Sequence, residues 1–528
     1  MKKPLLLILA MGLLPQADAQ PVYSVILENG LVVDGTGNAS FEADVGLIGD
    51  RIGAIGDLSR ARAATRVDAT GHVVAPGFID IHSHAVGSGA GGPLAARPHA
   101  ENLIRQGVTS VFGGQDGSSP WPVGEALAFF DVSPAAVNVG LFAGHGTLRA
   151  RIVGMDDREA DPDELSAMRA AVRQAMHQGA YGLSSGLEYA PGMFASTDEL
   201  AALSEEIAPF GGLYISHVRD EGGALMDSVD ELIAISRASG AAAQLTHHKI
   251  IGKHRWGGTV ESLARVEEAR RAGLDITLDV YPYTASSTGL TILFPGWAKD
   301  GGLSGLQERL ADPQHRARIR QDVIAHIHSE RGGDPATIVA ARCGFDDSLA
   351  GKSLADMARD AGLETSVENA ADIAIDLVER GSCQGVFHSM GEEDVARVMK
   401  SEHAMAASDG GVPALGVGSP HPRSYGTFAR VLAHYVRESG TLTLEEAVAR
   451  MTSRPAARLG LHDRGELRPG AVADVVVFDP ERVQDLATFR DPHRYAVGVS
   501  YVYVSGVAAL QDGEPTGARP GKSLRKGR

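Results

Sequence analysis

The chain reads as an α/β fold: a (β/α)8 barrel of the TIM type, with a small β domain formed from both termini and an insertion late in the barrel. Three observations predict it. Between Val73 and Gly410 short apolar runs alternate with longer amphipathic stretches, as parallel strands and their covering helices do. Both ends carry hairpin-like strand patterns instead. From about Leu290 to Ala341 the alternation stops for longer than a plain loop normally lasts.

Taken in order, residues 1–19 read as an export signal: Lys2 and Lys3, the apolar "PLLLILAMGLLP", then Ala17-Asp18-Ala19 as a small-x-small cleavage site. The mature chain is expected to begin near Gln20, in the periplasm or outside the cell. No cysteine follows the site to carry a lipid, and no later stretch has the length and apolarity of a membrane span. Residues 20–72 and 460–528 then form the small β domain. "VILENGLVVDG" and "ADVGLIGDRIGAIG" supply its first strands, with Asn29-Gly30 at a hairpin turn, and "ADVVVFDP" and "GVSYVYVSGVAAL" supply the rest.

The barrel occupies 73–459, with the inserted subdomain at about 290–341. Its eight strands are "HVVAPGFIDIH", "TSVFGG", "VNVGLFAGH", "GLSSG", "LYISHV", "AQLTHHK", "ITLDVYPY" and "AMAASDG". Linking stretches such as "DELSAMRAAVRQAMHQG" and "SVDELIAISRASG" have helical periodicity and stop at glycine. In such a barrel the functional groups lie at the C-terminal ends of the strands.

Composition narrows the function classes. A net charge of −17 argues against nucleic acid, whose binders need a basic surface. The basic "RPGKSLRKGR" reads as a solvated terminus. Cys343 and Cys383 are the only cysteines; an exported protein can pair them, but they offer neither a disulfide framework nor zinc-finger spacing.

Two His-x-His pairs occur, and 19 histidines in 528 residues are enough to produce such pairs by chance. Placement separates them. His326 and His328 lie in a helical pattern, where residues two apart diverge, and read as surface decoration. His82 and His84 end a strand, where residues two apart share a face and can chelate. His145, His217, His247 and His248 follow other strands, and Asp409 closes strand eight. Imidazole and carboxylate gathered on one rim suit a borderline ion such as zinc.

These residues sit in motifs that resemble the amidohydrolase superfamily and, within it, the N-acyl-D-amino-acid deacylases or D-aminoacylases. The likeness runs through "PGFIDIHSH", "GLSSGLEYAPG", "ISHVRDE", "THHK", "DVYPYTASST", "HPRSYGTFARVL", "MTSRPAARLGL" and "DRGELRPGAVADVVVFD". The resemblance implies one or two zinc ions held by His82, His84, His217, His247 and Asp409, with Asp409 also the general base. It implies that Lys249, Tyr281, Ser287 and Arg423 hold or line the place of a substrate carboxylate, that His145 either lines the pocket or supports the site from behind it, and that His248 is a mere neighbour. Relatives with "GNCG" after strand two bridge their metals through that cysteine. This chain reads "GGQDGSS", so Asp116 takes the bridging place, with Glu188 as the rival.

The implied reaction is zinc-dependent hydrolysis of the linear amide of an N-acyl-D-amino acid, a small-molecule substrate, to a carboxylate and a free D-amino acid. An exported dipeptidase or cyclic amidase acting on D- or unusually linked short peptides is the alternative enzyme. For that substrate's ammonium, Asp220 and Glu221 are the candidate partners. A non-catalytic zinc-binding scaffold is the alternative from another class. Oligomeric state is left open.

Overall fold

The structure is a computed structural model that describes residues 22–527 apart from 88, 90 and 91. The expected export signal lies outside the described residues. Among them, no helix is long and apolar enough to cross a membrane.

Both ends of the chain meet in a nine-stranded sheet. Its seam is Val73–Pro76, antiparallel to Val475–Phe478 and parallel to the end of Val22–Val32. Asn29-Gly30 makes no hairpin turn here. Val22–Val32 is one continuous strand, and Asn29, at φ 60, opens a bulge where the register with Phe41–Ile48 shifts. A side chain at Gly30 would fall 2.5 Å from Val74 Cγ2, so the bulge lets two strands approach closely.

The expected first barrel strand is in fact two. Val73–Pro76 belongs to the terminal sheet, and the barrel begins with Phe78–Asp80. Proline offers no N–H to continue the ladder. At Gly77 a Cβ would meet Thr109 Cγ2 at 2.2 Å, so only glycine lets the chain pass from sheet to barrel.

Parallel strands then follow in order: Val108–Gly113, Asn138–Leu141 with its continuation Ala143–Gly144, Gly182–Gly186, Leu213–His217, Ala242–Leu245, Ile276–Val280 and Ala404–Ala406. Strand eight closes on strand one through a parallel bridge between Ser83 and Gly410. The Asp409 N–H also donates to the His82 carbonyl at 2.8 Å. Helices between strands start and stop where local chemistry dictates. Asp161 and Glu164 form a reciprocal cap for Pro162–His177, and Gly240, at φ 70, ends Leu225–Ser239.

The insertion is larger than 290–341. It runs from Ser286 to Phe387 and has its own sheet, in which Cys383–Phe387 lies between Ser286–Gly289 and Ile338–Cys343. Its separate core includes Leu293, Phe294, Leu306, Ile319 and Ile375. Residues 342–387, which the sequence reading leaves in the barrel, belong to the insertion because Cys383–Phe387 pairs with its strands and not with those of the barrel. Cys343 and Cys383 form a disulfide across this sheet.

The basic tail is not simply solvated. Ser523 bridges to Val139, the Leu524 N–H donates to the Val139 carbonyl at 2.7 Å, and Leu524 is buried beside Ile79, Phe112 and Tyr181. The tail therefore closes the N-terminal end of the barrel, opposite the rim that carries the histidines.

Candidate metal centre

Strand one delivers His82 fully buried and His84 with its side chain 41% exposed, their rings 5.7 Å apart. Asp116, His247 and Asp409 follow strands two, six and eight at φ 50, 35 and 49. Left-handed backbone at residues other than glycine costs about 1–3 kcal/mol each and persists where function requires it.

Two groups of donors result. In the first, His84 Nε2 lies 3.2 Å from Asp116 and 3.0 Å from Asp409, while His82 Nε2 lies 3.5 Å and 3.6 Å from the same carboxylates. The second comprises Asp116, His217 and His247. His247 Nε2 is 3.5 Å from Asp116 and 2.9 Å from His217 Nδ1. Asp116 thus belongs to both groups and stands between them. Glu188 bonds His217 Nε2 at 2.9 Å and falls into a third group with Glu221.

The electrostatics of the centre favour positive charge. Burial of the site opposes charge on His84, yet the adjacent carboxylates of Asp116 and Asp409 push it up to about 9. Burial acts against His82 in the same way, and Asp116 and Asp279 raise it well above the ordinary range. Burial alone would raise Asp409, but Arg423 and His82 hold it well below the usual carboxylate range.

A cavity of about 1120 Å³ opens over this centre. Arg423 reaches it with Nη1 2.8 Å from Asp409 Oδ2, and its Nη2 donates to the Ser287 carbonyl at 3.2 Å. Lys249 Nζ lies 2.5 Å from Glu221 and 2.7 Å from His247 Nδ1, so it orients that ring. Ser287 lines the cavity.

Neither Tyr281 nor His145 lines the cavity. Tyr281 is buried beneath the cations, its ring 4.8 Å from Arg423 and 5.5 Å from Lys249, and forms a floor that does not line the cavity. His145 opens a helix directly after strand three, which turns its ring behind the cavity to Glu199 at 2.8 Å; Arg149 pairs with the same carboxylate. His248 also faces away, to Ser262 at 2.7 Å. His326 is half-buried against a side cavity, not on the surface, whereas His328 is exposed.

Sequence reasoning missed the supports. Asp279 accepts the His247 N–H at 2.7 Å, is held by Gln244 at 2.6 Å, and lies 3.5 Å from His82 Nδ1. Its signal was a lone carboxylate in an apolar strand, "ITLDV". Asp80 ties strand one to strand eight by accepting the Ser408 N–H at 2.8 Å. His421 accepts the Arg423 N–H on Nδ1 at 3.0 Å and bonds the Ala285 carbonyl through Nε2 at 2.9 Å.

Comparison with known proteins agrees with this geometry. A family model described as the amidohydrolase family matches residues 65–509. The N-acyl-D-glutamate deacylase of Alcaligenes xylosoxydans xylosoxydans is 38% identical over 96% of this chain and 97% of that protein. The D-aminoacylase of the same organism is 35% identical over 97% of this chain and 99% of its own length. A crystal structure of N-acyl-D-glutamate deacylase from Bordetella bronchiseptica, complexed with zinc and a phosphonate that mimics the tetrahedral intermediate, matches with a TM-score of 0.81. It is 32% identical and covers 96% of this chain and 100% of that one. This chain belongs to the amidohydrolase family and, within it, to the D-aminoacylases.

Proposed function

We propose that the protein is a zinc-dependent hydrolase that cleaves the amide of N-acyl-D-amino acids to a carboxylate and a free D-amino acid. The observation that carries this reading is the pair of donor groups sharing Asp116, beside Arg423 and beneath the cavity. The relatives named above support it.

The residues suit zinc on chemical grounds. Both ring nitrogens of His82, Asp116 Oδ1 and Asp409 Oδ1 are buried without a hydrogen-bond partner, and a buried lone pair left unmatched costs about 1–3 kcal/mol. Imidazole and carboxylate are the donors a borderline cation takes, and a shared Asp116 accommodates one ion or two. When bound, zinc supplies Lewis acidity, polarising the amide carbonyl and lowering the pKa of water.

The chain's own groups do the rest. Asp409, kept ionised by Arg423, takes the proton of the attacking water and passes it to the amide nitrogen as the C–N bond breaks. Arg423 and the Ser287 segment hold the substrate carboxylate, so the chiral carbon meets the centre in one orientation. A dipeptidase would need a free carboxylate for the substrate ammonium; Glu221 is occupied by Lys249, and Asp220 accepts the Gly222 N–H at 2.6 Å and borders a side cavity instead.

Release of free amine from matched N-acetyl-D and N-acetyl-L amino acids, with zinc and with chelator, tests the reading. Chelator-sensitive release from the D series alone is expected. Equal release from both series, or none from either, overturns it. We also propose export to the periplasm or beyond, supported by the Cys343–Cys383 disulfide, because such bonds persist in oxidising compartments. Cell fractionation with N-terminal sequencing checks it.

A further inference from the structure

Arg331 follows the long insertion helix Pro313–Glu330 and borders the same cavity. It is 4% exposed, and its guanidinium lies 4.7 Å over the Phe387 ring. Its Nη1 donates to the neutral Ser389 hydroxyl at 3.0 Å, while Nε is buried without a partner.

Other buried guanidinium groups have either a carboxylate in salt-bridge contact or several backbone carbonyls. Arg149 has Glu199, Arg423 has Asp409, and Arg450 donates to the carbonyls of Met399, Lys400 and Ser401. The acids nearest in charge to Arg331 are engaged elsewhere: Glu188 with His217 at 2.9 Å, Glu330 with Arg255 at 2.9 Å and Glu221 with Lys249 at 2.5 Å. Arg331 thus shares its neighbouring carboxylates with other partners and makes no salt bridge of its own, and an incompletely compensated buried cation that faces a cavity suits an anion from the ligand.

Position and field agree. Phe387 pairs with Ser286, next to Ser287, so Arg331 stands beside the end of the cavity assigned to the substrate carboxylate. Arg97, Arg151 and Arg342 border the cavity too, in a chain of net charge −17. Such a local reversal of sign concentrates anions at the mouth.

We propose that the substrate carries a second carboxylate, and that Arg331 binds it. The proposal rests on the deacylase reading for the place of the first carboxylate. The second carboxylate has two chemical sources, an acidic amino-acid side chain or an acidic acyl group.

Each source has an isosteric neutral control. Binding is measured by calorimetry in the D409N protein, where hydrolysis does not interfere. One pair is N-acetyl-D-glutamate against N-acetyl-D-glutamine; the other is N-succinyl-D-leucine against its terminal monoamide. A charge-assisted pair predicts that at least one acid binds about tenfold or more tighter than its amide. The pair that shows the ratio identifies the source. In an Arg331→Gln background that ratio falls to near unity, and in Arg331→Lys part of it survives. Ratios near unity for both pairs before Arg331 is changed overturn the proposal, whether or not the Arg331 variants fold. So does a ratio that Arg331→Gln leaves intact. Acid-selective binding combined with no amine release from any N-acyl-D-amino acid by the zinc-loaded unmutated protein retires the deacylase reading alone.

Discussion

At the scale of single residues, the centre depends on charges held apart from their ordinary protonation. Asp409 combines a strained backbone, an unpartnered oxygen and a close guanidinium. Replacement by Asn keeps the shape and a donor oxygen but removes the proton acceptor. Turnover should fall by about 10³-fold or more while most zinc stays bound, read as kcat beside metal content. Near-normal turnover removes Asp409 from the proton pathway. Glu199 makes a second, structural case. Burial would raise its pKa, yet His145 and Arg149 hold it below the ordinary value. Its contribution is therefore present above the unfolded pKa, near pH 4.3, and is lost as pH falls through the folded one. Glu199→Gln should cost about 3 kcal/mol at neutral pH, since it strands a buried arginine. The gap from the unmutated protein should close below about pH 4 in denaturant titrations, and a gap independent of pH would show that packing, not charge, is lost.

At the scale of elements, strands two, six and eight are each followed closely by a residue that turns its side chain inward to the centre. That explains why Asp116, His247 and Asp409 adopt left-handed backbone. The insertion sheet brings Ser287 and Arg331 to one wall, and the Cys343–Cys383 bond closes 40 residues of it. Closing a loop of that length stabilises by about 2–4 kcal/mol. The Cys343→Ser, Cys383→Ser double variant should accordingly raise amide hydrogen exchange across 338–387 with little change in barrel strands. A uniform rise across the whole chain would contradict an independently cored insertion.

At the scale of the whole molecule, both ends of the chain secure the barrel from outside. The terminal sheet meets it at Gly77, and the tail seals its lower end through Leu524. Leu524→Ala should lower stability by about 2 kcal/mol, because a buried leucine leaves a cavity when truncated. Chemical denaturation reads the effect directly. An unchanged midpoint would return the tail to solvent.

Much of this was legible in the chain itself. The alternation of apolar runs and amphipathic stretches located all eight strands, because a parallel strand buried on both faces must be continuously apolar. The His-x-His spacing and the carboxylate after strand eight pointed to a metal-binding rim, because strand periodicity puts alternate residues on one face. Periodicity also told His82 and His84 from His326 and His328. What it left undetermined depends on partners distant in sequence. Asn29-Gly30 reads as a turn until Val74 is seen pressing on it, and 342–387 reads as barrel until Cys383–Phe387 is seen between Ser286–Gly289 and Ile338–Cys343. His145 and Tyr281 carry side chains suited to a pocket, but their neighbours turn one behind the cavity and bury the other beneath it. Asp279 and Arg331 have no motif at all. The sequence by itself determined which elements exist and which chemistry they carry, since both follow from local pattern. Only the tertiary structure decided which charges are matched and which face the cavity, because compensation of a buried charge is a property of whatever packs around it.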